Sequence, residues 1–159
     1  MTAPASPSVI LYAEDSEDDA FLMKRAFARV GFPGRLVVVP HGLEATRYLS
    51  GEGRYADRVA YPFPQLILLD IKMPHLNGLD VLHWLRSRNA FDDKPVLMLT
   101  SSSQESDVRA AYAAGADSYL VKPANLDLFR ELVEDLALLC ALKTRPLARF
   151  PLRGAIVAP

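Results

Sequence analysis

A chain of 159 residues, 50% hydrophobic and 23% charged, has the size and composition of one globular domain with a single sizeable core. A formal charge of −1 gives it no general attraction to nucleic acid or to an anionic membrane. One cysteine, Cys140, excludes an internal disulfide framework and is read as buried filler in a reducing compartment.

Met1–Ser8 is rich in Pro, Ser and Ala and lacks the basic start and apolar run of a signal peptide, so 1–8 is read as a disordered start. No stretch approaches the roughly 18–20 apolar residues of a membrane span. A cytoplasmic protein without a membrane partner is the expectation. Val9–Ala13 (VILYA) reads as a buried strand. A helix follows from a Ser16 cap, with Asp19 three residues on in a capping-box position and Met23, Ala26, Phe27 and Val30 facing inward. Gly31 and Pro33-Gly34 end it. Arg35–Val39 is a second strand and Leu43–Leu49 a short helix. Ser50–Pro64 is the longest irregular segment, a loop and not a domain boundary. Leu66–Asp70 (LILLD) is apolar on both faces and therefore a central strand. Gly78 to about Arg88 is a helix with Leu79, Val81, Leu82 and Leu85 toward the sheet. Pro95–Thr100 is a strand, Gln104–Ala114 a helix stopped at Gly115, and Ser118–Val121 a last strand. Asn125 caps a final helix running to about Leu142. Five βα units of this kind predict a doubly wound α/β fold with a five-stranded parallel sheet.

Polar residues stand directly after separate buried strands: Glu14 and Asp15 after the first, Asp70 at the end of the third, Thr100 at the end of the fourth, Lys122 after the fifth. In an open parallel sheet these ends share one rim, where ligands bind. Carboxylates a few ångströms apart repel, by roughly 4 kcal/mol per pair at 4 Å and an effective dielectric near 20, so the cluster calls for a cation or a shifted pKa. All-oxygen donors suit Mg²⁺, with Mn²⁺ as a substitute. Asp70 is a carboxylate nucleophile able to form an acyl phosphate, with Lys122 and the metal offsetting phosphoryl charge and Thr100 offering a hydroxyl. The acid run Asp18-Asp19 is read only as a favourable match to the helix dipole. His41, His75 and His83 lack metal-ligand spacing and are placed on loops or the surface; Trp84 is a packing residue.

Glu14-Asp15, LILLDIKMPHLNGLDVL (66–82), LMLTSSS (97–103) and YLVKPANLD (119–127) together resemble bacterial two-component receiver domains, and the intervals between Asp70, Thr100, Tyr119 and Lys122 match as well. The resemblance spans 9–142 and implies a flavodoxin-like (βα)5 sheet of order 2-1-3-4-5. It implies Asp70 as phosphoacceptor for a sensor histidine kinase. Asp15 and Asp70 become direct metal ligands, Glu14 acts through metal-bound water, and the backbone carbonyl of Lys72 completes the set. Thr100 and Tyr119 become a coupled switch pair, Tyr119 turning inward on phosphorylation, and Lys122 a phosphoryl ligand aimed by a cis Lys122-Pro123 bond. The opening AEDSEDDAFL, the long 50–64 insertion and the TSS-then-YLVKP arrangement are most similar to the small regulators paired with bacteriophytochromes.

Lys143–Pro159 is too short for a DNA-binding output domain, so output is expected through protein contacts. Phe150, Leu152, Ile156 and Val157 make this C-terminal extension (143–159) either a disordered tail or an arm reaching across a homodimer. Three other readings compete. An aspartyl-nucleophile phosphohydrolase typically carries a second Asp two residues after the nucleophile, where this chain has Lys72. A flavin- or nucleotide-binding domain wants a glycine-rich loop after the first strand, where this chain has AEDSEDD. A receiver-like module that is never phosphorylated would keep the fold alone.

Overall fold

The computed structural model describes residues 7–142 and 152–159. In chain order the elements are β1 (Val9–Ala13), α1 (Glu17–Val30), β2 (Arg35–Val39), α2 (Gly42–Ser50), β3 (Leu66–Leu69), α3 (Gly78–Arg86), β4 (Val96–Thr100), α4 (Glu105–Ala113), β5 (Ser118–Val121), α5 (Leu126–Leu142) and β6 (Ala155–Ile156). The sheet order is β2-β1-β3-β4-β5-β6, with every pairing parallel except β5–β6.

Side chains alternate across a strand, and here the alternation sorts them into two cores. Leu11, Ala13, Ile67, Leu69 and Met98 face one side, with Ala45 and Leu49 of α2, Val81, Leu82 and Leu85 of α3 and Val108 of α4. Ile10, Tyr12, Leu66, Leu68, Leu97 and Leu99 face the other, with Met23, Ala26 and Phe27 of α1 and Phe129, Val133 and Leu136 of α5. Strands β1, β3 and β4 are buried at every position because helices cover both faces. This doubly wound arrangement leaves the C-terminal ends of β1, β3, β4 and β5 side by side on one rim.

The predicted elements match in order and, within two residues, in extent. Three local features depart from the sequence reading. Ser16 does cap α1, its hydroxyl accepting from the Asp19 N–H at 3.3 Å, but the Asp19 carboxylate points to Lys122 and the reciprocal half of a capping box is not made. The 50–64 segment is pinned to α2: the Arg58 guanidinium donates to the Tyr48 and Leu49 carbonyls at 2.8 and 2.9 Å, satisfying helix-end acceptors, and lies 4.0 Å from the Phe63 ring. Tyr48 donates to the Pro62 carbonyl at 2.7 Å.

The third departure is β6. An edge strand presents unpaired N–H and C=O groups, and on β5 the tail supplies partners, Ile156 opposite Tyr119 and Ala155 opposite Leu120. Leu152 is 5% exposed within the α1/α5 core. Arg153 donates to Asp135 at 3.0–3.2 Å and to the Glu131 carbonyl at 2.9 Å, and Tyr112 donates to the Ile156 carbonyl. Of the residues read as a dimer arm, Leu152 and Ile156 therefore pack on their own domain, Val157 is exposed, and Phe150 lies outside the described residues.

Candidate functional site

Backbone bonds carry the ladder to the rim residues themselves. The Glu14 N–H donates to Val39 O at 3.0 Å, Asp70 N–H to Ala13 O at 3.2 Å, and Lys122 N–H to Thr100 O at 2.8 Å. Residues from four strands are thereby brought to one place before any side-chain contact is considered. Gly78, at the start of α3, lets that helix approach: a Cβ there would stand 2.0 Å from the Asp70 carbonyl oxygen, and the Gly78 N–H donates to Ile71 O at 2.9 Å. His75, in the same turn, holds a left-handed φ of 67°.

At the centre is the Lys122 ammonium. Its Nζ lies 2.7 Å from Asp70 Oδ2, 2.7 Å from Asp19 Oδ2 and 2.8 Å from Glu14 Oε2. Glu14 is further held by the Tyr12 hydroxyl, donating at 2.9 Å, and by the Ser16 N–H at 3.0 Å. Asp15 is exposed beside this group, and ligand oxygens of Glu14, Asp15 and Asp70 all lie within 4.8 Å of one another. Three carboxylates thus share one ammonium, with a fourth, Asp15, beside two of them. Asp70 is 4% exposed, and its Oδ1 is a buried oxygen with no hydrogen-bond partner among the described residues.

The titration behaviour follows from burial and charge. Burial raises the Glu14 carboxyl above its ordinary value, and Asp70 raises it further, although contacts with Lys122 and Ser16 work in the other direction. For Lys122, burial alone would lower the ammonium; hydrogen bonds to Asp19, Asp70 and Glu14 outweigh it and hold the group above the usual lysine range. Tyr12 is raised by burial and by Glu14. Burial likewise raises Tyr119.

Thr100 is fully buried, its Oγ1 accepting from the Ser102 N–H at 3.4 Å. Tyr119 is also fully buried, and its hydroxyl donates to the Ser102 carbonyl at 2.9 Å. The ring points inward, and a carbonyl of the β4–α4 loop satisfies its hydroxyl. The Lys72 side chain is exposed on the β3–α3 loop, and Pro123 is half-buried. Two residues carry more than the sequence reading allowed. Asp19 has the sequence signature of a helix-start acid, yet its carboxylate reaches across to Lys122, a contact with no local signal. Ser102 serves through a backbone carbonyl, which leaves no side-chain signal. His41 caps α2, its Nδ1 accepting from the Glu44 N–H at 3.2 Å, and meets the His75 ring edge-on. Trp84 packs on Phe91 under Arg88. Cys140 is buried, and burial pushes its thiol up to about 11.

A cleft of about 430 Å³ opens beside Glu14 and Asp15, walled by Phe21, Lys24 and Pro40. A larger one, about 680 Å³, lies over α2 between His41, Glu44 and Arg54; it holds none of the rim residues, so volume does not locate the chemistry.

Residues 10–134 match the response regulator receiver domain. The chain belongs to the response regulator receiver family. It is 36% identical over 125 residues to response regulator Rcp1 of Synechocystis sp., covering 78% of this chain and 83% of Rcp1. The crystal structure of the phosphorylated cyanobacterial phytochrome response regulator RcpA superposes with a TM-score of 0.73 at 30% identity, over 93% of this chain and 99% of RcpA. The Mn²⁺-bound form of Rcp1 superposes with a TM-score of 0.71 at 31% identity, over 96% of this chain and 99% of Rcp1. The protein is thus a receiver-domain response regulator, a phosphoryl acceptor of two-component signalling. Receiver domains bind a divalent metal, and the donor set fits one: three carboxylates within reach of a single ion, one of them carrying an unpartnered buried oxygen. Among the described residues no helix is long and apolar enough to cross a membrane.

Proposed function

We propose that Asp70 is the residue that accepts the phosphoryl group, from the phosphohistidine of a sensor kinase. The observation that carries this reading is Asp70 itself: a buried carboxylate at a strand end with Oδ2 on Lys122 at 2.7 Å and Oδ1 unpartnered. An Asp70 oxygen attacks phosphorus in line as the phosphorus–nitrogen bond of phosphohistidine breaks, and the imidazole leaves with the bonding electron pair. Lys122, held above the usual lysine range, stays cationic throughout and stabilises the charge on the phosphoryl oxygens. Glu14, Asp15 and Asp70, with the Lys72 carbonyl, would hold Mg²⁺, which when bound would supply further positive charge to the transferring group. The Thr100 hydroxyl donates to a phosphoryl oxygen, which draws on the loop carrying Ser102 and through its carbonyl on Tyr119. The outcome is a population shift at the β4–α4 loop and β5. Water attack on phosphorus then breaks the phosphorus–oxygen bond and restores the carboxylate.

The cognate kinase is read as a bacteriophytochrome, since relatives named as phytochrome response regulators align over most of their length with this chain. Turnover of generic phosphomonoesters is not expected, because Lys72 stands where a general acid would. A homodimer built on the C-terminal arm would use exposed Val157 or require β6 to open, as Leu152 and Ile156 pack within their own domain.

Incubation with Mg²⁺ and a small acyl-phosphate or phosphoramidate donor tests the assignment. One phosphoryl group per wild-type chain and none on Asp70→Asn is the expected result; label persisting on Asp70→Asn overturns it.

A further inference from the structure

Lys122 and a divalent cation draw on the same two carboxylates. Glu14 Oε2 and Asp70 Oδ2 both hold the ammonium, at 2.8 and 2.7 Å, and both residues belong to the trio that fits a metal. With a metal on the rim, Glu14 and Asp70 divide their charge between two cations, so the ammonium needs a further anion if it is to stay in the pocket. The third contact makes that possible. Asp19 Oδ2 lies 2.7 Å from Nζ, and Asp19 is neither the acceptor nor one of the three clustered ligands. It is carried by the first turn of α1, with its side chain 29% exposed, while the Lys122 side chain is 12% exposed.

Resting on the reading of Asp70 as phosphoacceptor, we propose that Asp19 is a positioning residue: it retains Lys122 at the edge of the site while Glu14 and Asp70 turn to the divalent ion, so that metal and ammonium are present together when the phosphoryl group arrives. Its second contribution is charge. Each cation is repelled by the other, and a carboxylate adjoining the ammonium offsets that repulsion. A unit charge about 6 Å from a divalent ion changes binding by roughly tenfold even in the dielectric of bulk water. Once the metal is bound, Asp19 has no bond to make to the phosphoryl group and, as an anion, slightly opposes it. Its loss therefore falls first on metal affinity.

Titration calorimetry with Mn²⁺ alone, followed by phosphorylation rates across a Mg²⁺ series, separates these effects. Asp19→Asn is expected to bind Mn²⁺ roughly tenfold more weakly and to need correspondingly more Mg²⁺ for half-maximal phosphorylation. Asp19→Glu, which keeps the charge, should recover much of the affinity. The N–H that completes the Ser16 cap is main chain and survives both substitutions. Asp18→Asn removes the same charge from the adjacent exposed position and should leave the affinity within about twofold. The proposal fails if Asp19→Asn binds Mn²⁺ like wild type, or if Asp18→Asn weakens binding as much. Mapping the label in each variant keeps the two readings apart: a phosphoryl group found elsewhere than Asp70 defeats the acceptor assignment, whereas wild-type metal affinity with Asp70 labelled defeats only the role of Asp19.

Discussion

Replacing Lys122 by Met keeps the length of the side chain and deletes the one cation that three carboxylates share. The side chains of Glu14 and Asp70 are 0% and 5% exposed, so solvent cannot take over from the ammonium. Removing one partner of a buried charge network costs roughly 3–5 kcal/mol, which for a chain of this length lowers the unfolding midpoint by roughly 10 °C or more. The loss also has a sign in pH. The Glu14 carboxyl is already raised above 4.5, by burial first, and the Lys122 contact is among the influences lowering it; without Lys122 it rises further. A raised carboxyl holds its proton more tightly in the fold than in the unfolded chain. Its contribution is therefore present below about 4.5 and lost as pH climbs through the raised value. Thermal unfolding of wild type and Lys122→Met, followed by circular dichroism from pH 4 to pH 8 without divalent ions, should show a gap that is small at the acid end and widens upward. Adding Mg²⁺ at neutral pH should narrow it, since a divalent ion replaces the missing positive charge. A variant as stable as wild type at pH 7.5 without metal, or a deficit that neither acid nor Mg²⁺ reduces, would refute this electrostatic account of the rim.

Gly78→Ala forces a Cβ to within 2.0 Å of the Asp70 carbonyl oxygen unless the backbone moves. A stability loss of about 1–3 kcal/mol and slowed phosphoryl uptake are expected together; a wild-type midpoint with wild-type uptake would show that α3 has room to spare. Leu152→Ala removes the buried anchor that precedes β6, at a cost of about 2–4 kcal/mol. Hydrogen exchange should accelerate at Ala155 and Ile156 and at the β5 residues opposite them, while β1 and β3 keep their protection; unchanged protection of β6 would mean that its pairing does not depend on Leu152.

How much was legible beforehand depended on how local the cause was. The strands VILYA and LILL carry their burial in their own composition, and the strand-end positions of Glu14, Asp15, Asp70, Thr100 and Lys122 follow once a parallel sheet is granted. The ends of helices were readable too, because Ser16, Asn125 and Gly115 act within a few residues of themselves. What a residue does across the fold was not readable in the same way. Asp19 has the local signature of a helix-start acid, and only the packing of α1 against α5 reveals that its carboxylate meets an ammonium more than a hundred residues away. Tyr119 by itself reads as core and becomes a switch candidate only through its position before Lys122, and the carbonyl on another loop that its hydroxyl meets leaves no mark in the sequence. The tail was the hardest segment. Its prolines and scattered apolar residues have no period to detect, and the partner that organises it is an unpaired edge of β5 created only when the rest of the sheet has formed. The linear order of residues by itself determined the sheet, the layering and the acidic rim, since hydrophobic periodicity and strand-end chemistry act at short range. Tertiary structure alone decided which carboxylates share Lys122 and where the last residues pack, since both depend on groups that become neighbours only after folding.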